Sequence, residues 1–122
     1  MEVEKVFIID ELAQDFMHTP KVEQRGSDYI LMFDFESESG SYEWTGITFK
    51  DVAKYMHTPD NMVNEDMLKA YNAVGIVKMS NWLKEESPIK NDKTYYNHYL
   101  IYFDGFGAYE FLGTNFIKGL NL

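Results

Sequence analysis

Lys93 to Leu112, KTYYNHYLIYFDGFGAYEFL, is the densest aromatic and β-branched run of the chain, broken once by Asp104-Gly105-Phe106-Gly107. Two β-rich arms around a glycine-containing link predict an antiparallel hairpin, because Asp-Gly supplies the positive φ angles of a tight turn. Successive strand side chains point to opposite faces, so Tyr96, His98, Leu100 and Tyr102 share one face. Tyr95, Tyr99, Ile101 and Phe103 take the other. Neither set is polar. The pattern predicts an interior strand pair covered on both sides.

Working back from it, Tyr29 to Glu36 (YILMFDFE) alternates Tyr29, Leu31, Phe33 and Phe35 against Ile30, Met32, Asp34 and Glu36. Ser37 to Ser41 is a turn, and Tyr42 to Phe49 (YEWTGITF) pairs back as a second hairpin, with Gly46 marking a bulge or a close backbone approach. Three stretches read as helices. Val6, Ile9, Ala13, Phe16 and Met17 form a helical stripe within Val3 to His18, ending before Pro20, although Val6 to Ile9 also suits a short strand. Thr48 caps a second beginning at Phe49, with Val52, Tyr55 and Met56 inward and a stop before Pro59. Glu65 to about Ala73 is the third, with Met67, Leu68, Tyr71 and Val74 as its buried stripe and Gly75 as its C-cap. Ile76 to Leu83 reads as a strand, Lys84 to Lys93 as a charged loop holding Pro88, and Asn115 to Ile117 as a short strand before a frayed tail. The expected fold is a single α+β domain over residues 1–122, a mostly antiparallel sheet of about five strands with two or three helices on one face.

Composition narrows the class. The chain has 122 residues, 45% hydrophobic and 16% aromatic, with a net charge of −9 and no cysteine. This excludes a disulfide framework and thiolate chemistry, and the expected compartment is the cytoplasm. No apolar run approaches the ~20 residues of a membrane-spanning helix, and the acidic opening MEVEKVFIIDE is unlike a secretory signal or transit peptide. Met1 to Glu43 holds eleven acids against Lys5, Lys21 and Arg25, whereas the rest is nearly neutral. Such a field repels phosphate backbones and attracts basic proteins. Direct nucleic-acid and membrane partners are not expected.

The chemical motifs are weak. Met-His-Thr-Pro occurs twice, at 17–20 and 56–59. His18 and His57, with Asp15 or Asp60, would make an incomplete metal set, whereas His before Thr-Pro suits a helix terminus. His98 with Tyr96 and Asp104 could form an acid–base group at an aromatic pocket, but Asp104 has a sufficient role in the turn. Asp34, Glu36 and Glu43 could flank a sugar as paired carboxylates. Asp104-Gly105-Phe106-Gly107 lacks the helix start and Lys-Ser/Thr of a phosphate loop. No catalytic residue, metal or cofactor is assigned.

The favoured reading is a small acidic protein-binding domain of the immunity or inhibitor type, occluding the active site of a basic toxin or nuclease. Asp34, Glu36, Glu38, Glu43, Trp44 and Trp82 are the expected partner-binding residues. The alternatives are a nucleic-acid mimic blocking a DNA-binding enzyme, and a small-molecule-binding or enzyme module with its pocket around His98. A homodimer could also cover the two-sided apolar hairpin. An enclosed cavity on which His98 and a carboxylate converge would favour the small-molecule reading.

Overall fold

The computed structural model describes residues 2–9, 18–85 and 95–120. The aromatic hairpin from Asn97 to Gly113 forms the middle of the five-stranded sheet. Strands β7 (Asn97–Phe103) and β8 (Gly107–Gly113) pair antiparallel, from Asn97 opposite Gly113 to Phe103 opposite Gly107. Gly105 and Gly107 take φ of 82° and 107° in the connecting turn, as the Asp-Gly signal requires. Around this pair a five-stranded sheet assembles in the order β1-β6-β7-β8-β5, with β1 at Glu2–Ile8, β5 at Lys54–Thr58 and β6 at Ala73–Lys78. The second sheet, β2-β3-β4-β9, is built on the other expected hairpin, β3 (Asp28–Glu36) and β4 (Tyr42–Lys50). Its edges are β2 (Lys21–Arg25) and β9 (Asn115–Lys118).

The inner faces of the two sheets share one core. Leu31, Phe33, Ile47 and Phe49 from β3 and β4 meet Val74, Tyr99, Ile101, Phe103, Tyr109 and Phe111 from β6, β7 and β8. Phe49 stacks on Phe111 with centroids 4.2 Å apart, and Phe33 meets Phe103 at 5.1 Å. Each of these four rings is fully buried, and truncating one to alanine would cost about 3–5 kcal/mol. The outer face of β7 and β8 is buried as well, where Leu100, Tyr102 and Ala108 pack with Val77 under Met67 and Ala70. Gly46 is a close-approach position: a Cβ there would lie 2.7 Å from Leu31 O and 2.9 Å from Leu120 Cδ2.

The α+β expectation is therefore corrected to a mostly β protein of two packed antiparallel sheets. Among the described residues, α-helix is confined to α1, Asn81–Glu85. The first expected helix begins instead as β1; its remainder, 10–17, lies outside the described residues. The second does not form because β4 runs on to Lys50, driven by Phe49 in the core; Asp51 then turns the chain at φ 49°, and β5 follows. The third shrinks to a 3-10 turn, Met67–Ala70, that buries Met67 and Ala70 and exposes Leu68. Gly75 caps no helix. It lies within β6, where a Cβ would meet Val3 Cγ1 at 2.6 Å and Ala70 Cβ at 3.4 Å.

Candidate functional site

Strand β6 ends at Lys78, and the next residue sets up the site. Met79 adopts φ 54°, unusual for a side chain without local polar support, and is 85% exposed. The turn leaves Ser80 immediately before α1, where its Oγ accepts hydrogen bonds from the Trp82 and Leu83 backbone N–H groups at 3.1 and 3.4 Å. Ser80 is thus the N-cap of α1. Its hydroxyl proton goes to His98 Nδ1, 2.5 Å away, and His98 Nε2–H donates to Glu110 Oε1 at 2.9 Å. With both lone pairs of Oγ already engaged by the helix start, this network assigns His98 the tautomer protonated on Nε2.

Three buried polar residues therefore form one chain of hydrogen bonds on the outer face of the five-stranded sheet: Ser80 is 3% exposed, and His98 and Glu110 4% each. Trp82 covers them, its ring parallel to the His98 imidazole (interplanar angle 1°) at 4.4 Å. Lys54 Nζ lies over the same indole, 4.8 Å from the ring centre. Beside this stack is a cleft of about 420 Å³ lined by Val77, Lys78, Met79, Ser80, Asn81, Trp82, His98 and Glu110. Glu110 Oε2 is buried without a hydrogen-bond partner among the described residues. An unpaired carboxylate oxygen away from water is costly, and Glu110 is a lining residue of the cleft, so the cleft is the route by which a donor would reach it.

The arrangement does not present a nucleophile, although serine, histidine and glutamate stand in line. Ser80 Oγ gives its proton to His98 and accepts two backbone N–H groups, which fills its coordination. What it can do is hold His98, and through His98 one oxygen of Glu110, leaving the other fixed and unsatisfied.

The sequence expectation paired His98 with Asp104 and Tyr96; the structure pairs it with Ser80 and Glu110. Asp104 sits in the β7–β8 turn, where Tyr102 OH lies 3.3 Å from its Oδ1 and 2.7 Å from Asp60 Oδ1. Burial first, then these two carboxylates, pushes the Tyr102 phenol far above its ordinary range. The sequence reading missed Glu110, although a lone acid inside GAYEFLG, a strand whose two faces are both apolar, was the available signal. Ser80 was hidden because Ile76 to Leu83 read as one strand.

The expected partner-binding residues scatter. Asp34 is completely buried and accepts from the His18 backbone N–H at 3.0 Å and from His18 Nδ1 at 2.8 Å, so it is not presented to a partner. Tyr42 and Trp44 share the outer face of the hairpin with Glu36, whereas Glu43 opposes Phe35 on the inner-facing side; Glu38 lies in the turn. Trp44 is 38% exposed, its ring 5.7 Å from that of His18 and 5.1 Å from Lys21 Nζ. Trp82 belongs to the cleft, on the other sheet. The early acids are also divided: Glu4 pairs with Lys78, Glu23 with Arg25 and Asp28 with Lys50.

The second Met-His-Thr-Pro copy closes no helix, whereas the end of the expected helix at the first lies outside the described residues. His18 follows residues outside them, and His57 lies in β5 with its Nε2 2.8 Å from Phe106 O. No group of three or more metal-ligating side chains occurs among the described residues, and no described helix is long and apolar enough to cross a membrane. No family model matches the chain, and no curated protein or solved structure proved similar to it.

Proposed function

We propose that this protein binds a small molecule in the cleft beside Trp82, His98 and Glu110. The observation that carries the reading is Glu110 Oε2: a buried carboxylate oxygen, aligned through His98 by the helix-capping Ser80 and lacking a partner among the described residues. A fixed group of this kind resists collapse onto the ligand and lowers the ordering cost of binding. Its size, about 420 Å³, falls within the usual range for small-molecule sites. The absence of cysteine suits action in a reducing compartment such as the cytoplasm. The reading is tested by mapping a fragment library on the protein by amide chemical shifts. Hits should perturb Met79, Ser80, Trp82, His98 and Glu110 together and be lost in Glu110→Gln. Hits that cluster elsewhere, or that ignore the substitution, defeat it.

A second reading keeps the inhibitor hypothesis at the β3–β4 tip. It is supported by Tyr42 and Trp44, 39% and 38% exposed, which share a face with Glu36, with Glu38 in the adjoining turn and Glu43 on the other side of the strand. There the partner would be a cationic protein surface, and occlusion the mechanism.

A further inference from the structure

Given that the cleft binds a ligand, its chemistry also limits which ligand. The geometry points to a molecule carrying a primary ammonium group, seated against Glu110 Oε2 with its hydrocarbon part along Val77 and Met79.

The first argument is the number of free oxygens. His98 Nε2–H already occupies Glu110 Oε1 at 2.9 Å, leaving Oε2 as the unsatisfied acceptor. A guanidinium recognises a carboxylate best as a fork onto both oxygens, and that geometry is blocked here. An ammonium is a point donor and needs one oxygen. The second argument is charge. Lys78 at the cleft and Lys54 above Trp82 are each paired with an acid, Glu4 at 2.8 Å and Glu85 at 3.4 Å. Among the described residues, Glu110 has no lysine or arginine salt-bridge partner, and its Oε1 meets the Nε2–H of His98. The acid at the cleft floor is therefore the one lacking a cation.

The third argument concerns the walls. The Trp82 ring already stacks on His98 and carries Lys54 Nζ 4.8 Å from its centre, so little of the indole face is left for a flat ligand. Val77 and the exposed Met79 thioether are apolar cleft residues, and methionine adapts to irregular hydrocarbon shapes. An alkyl or arylalkyl ammonium fits this combination.

The test uses a Trp44→Phe variant, whose fluorescence then reports Trp82 alone. Phenethylamine, phenethylguanidine and 3-phenylpropanol are titrated at neutral pH and constant ionic strength. Phenethylamine should give a saturable change, with the other two weaker by roughly tenfold or more, the worth of a charge-assisted hydrogen bond. Glu110→Gln in the same background should erase the preference. Should that variant not fold, the imidazole nitrogen shifts of His98 in the Trp44→Phe protein provide the second readout, moving with the amine and not with the alcohol. Equal binding of alcohol or guanidine overturns the ammonium assignment and leaves the cleft standing. No saturation by any of the three, with His98 unmoved, also overturns it, as expected if Glu110 Oε2 is served by water only; the fragment map then decides the cleft independently.

Discussion

His98 and Glu110 lie two pairs apart across the β7–β8 ladder, His98 opposite Leu112 and Glu110 opposite Leu100, so their contact is diagonal on one face. Diagonal neighbours on one sheet face are within reach only of long side chains, which imidazole and glutamate both are. The strand register therefore fixes the pair, and the cap of α1 selects the His98 tautomer. Removing the cap should disturb both.

Ser80→Ala deletes the donor to His98 Nδ1 and the acceptor for the Trp82 and Leu83 N–H groups. Losing an N-cap costs about 1 kcal/mol and leaving a buried imidazole nitrogen unpaired about 1–3 kcal/mol more, so a loss of roughly 2–4 kcal/mol is expected. Denaturant unfolding measures the first consequence. Imidazole nitrogen shifts measure the second, since His98 loses the group that selects its tautomer. Ser80→Thr keeps the hydroxyl and should retain most of both; a threonine variant as damaged as alanine would show that shape, not hydrogen bonding, matters at this position.

The core tyrosines predict an alkaline limit to stability. Burial pushes the Tyr109 phenol up to about 12 and raises Tyr99 and Tyr55 in the same direction. In the unfolded chain these phenols ionise near pH 10. A raised folded value means that the folded state keeps its protons longer, so stability is complete below about pH 10 and falls as pH rises through the Tyr109 value. Tyrosinate absorbance followed alongside circular dichroism should show these phenols ionising with unfolding. Ionisation of all tyrosines near pH 10 with the fold intact would contradict the packing of this face.

Both central hairpins were legible because their signals are local: alternation of apolar residues, and turns at Ser37 to Ser41 and Asp104 to Phe106. The helices were misread for identifiable reasons. In β1 the register shifts between Lys5 and Phe7, which breaks the period of two, so Val6 and Ile9 could be read as the start of a helical stripe. At Thr48 and Phe49 the capping pattern was overridden by burial of Phe49 between the sheets. The Ser80–His98–Glu110 chain joins residues 18 and 12 positions apart, and only pairing and the turn at Met79 bring them together. Of the acids in the first third, the described ones lie on both sheets, and Glu4, Glu23 and Asp28 pair with cations.

The β3–β4 tip gives a direct comparison with the cleft reading. Glu36→Lys together with Glu43→Lys should weaken binding of poly-L-lysine by lowering the association rate, with a smaller salt dependence. Phenethylamine binding should be unchanged, since the cleft lies on the other sheet. If the double variant binds poly-L-lysine as the parent does, the acids and aromatics of the tip are a solvated face.

At the corner where β4 leaves one sheet for the other, Asp28 does two things. Its Oδ2 lies 2.6 Å from Lys50 Nζ, and its Oδ1 accepts from the backbone N–H of Asp51, the residue held at φ 49°. The Lys50 hydrogen bond, with the Asp51 N–H, holds its carboxyl below the usual aspartate value against the opposing effect of burial. A depressed folded value contributes stability that is present above about pH 4 and is lost as pH falls through the folded value. Asp28→Asn should therefore cost about 1 kcal/mol at neutral pH, a modest figure because both partners are partly exposed. Urea unfolding of the variant and the parent should converge as the medium is acidified below the aspartate range, and the neutral-pH difference should shrink in high salt. A difference that persists unchanged at acid pH would place the effect in the shape of the corner and not in the carboxylate charge.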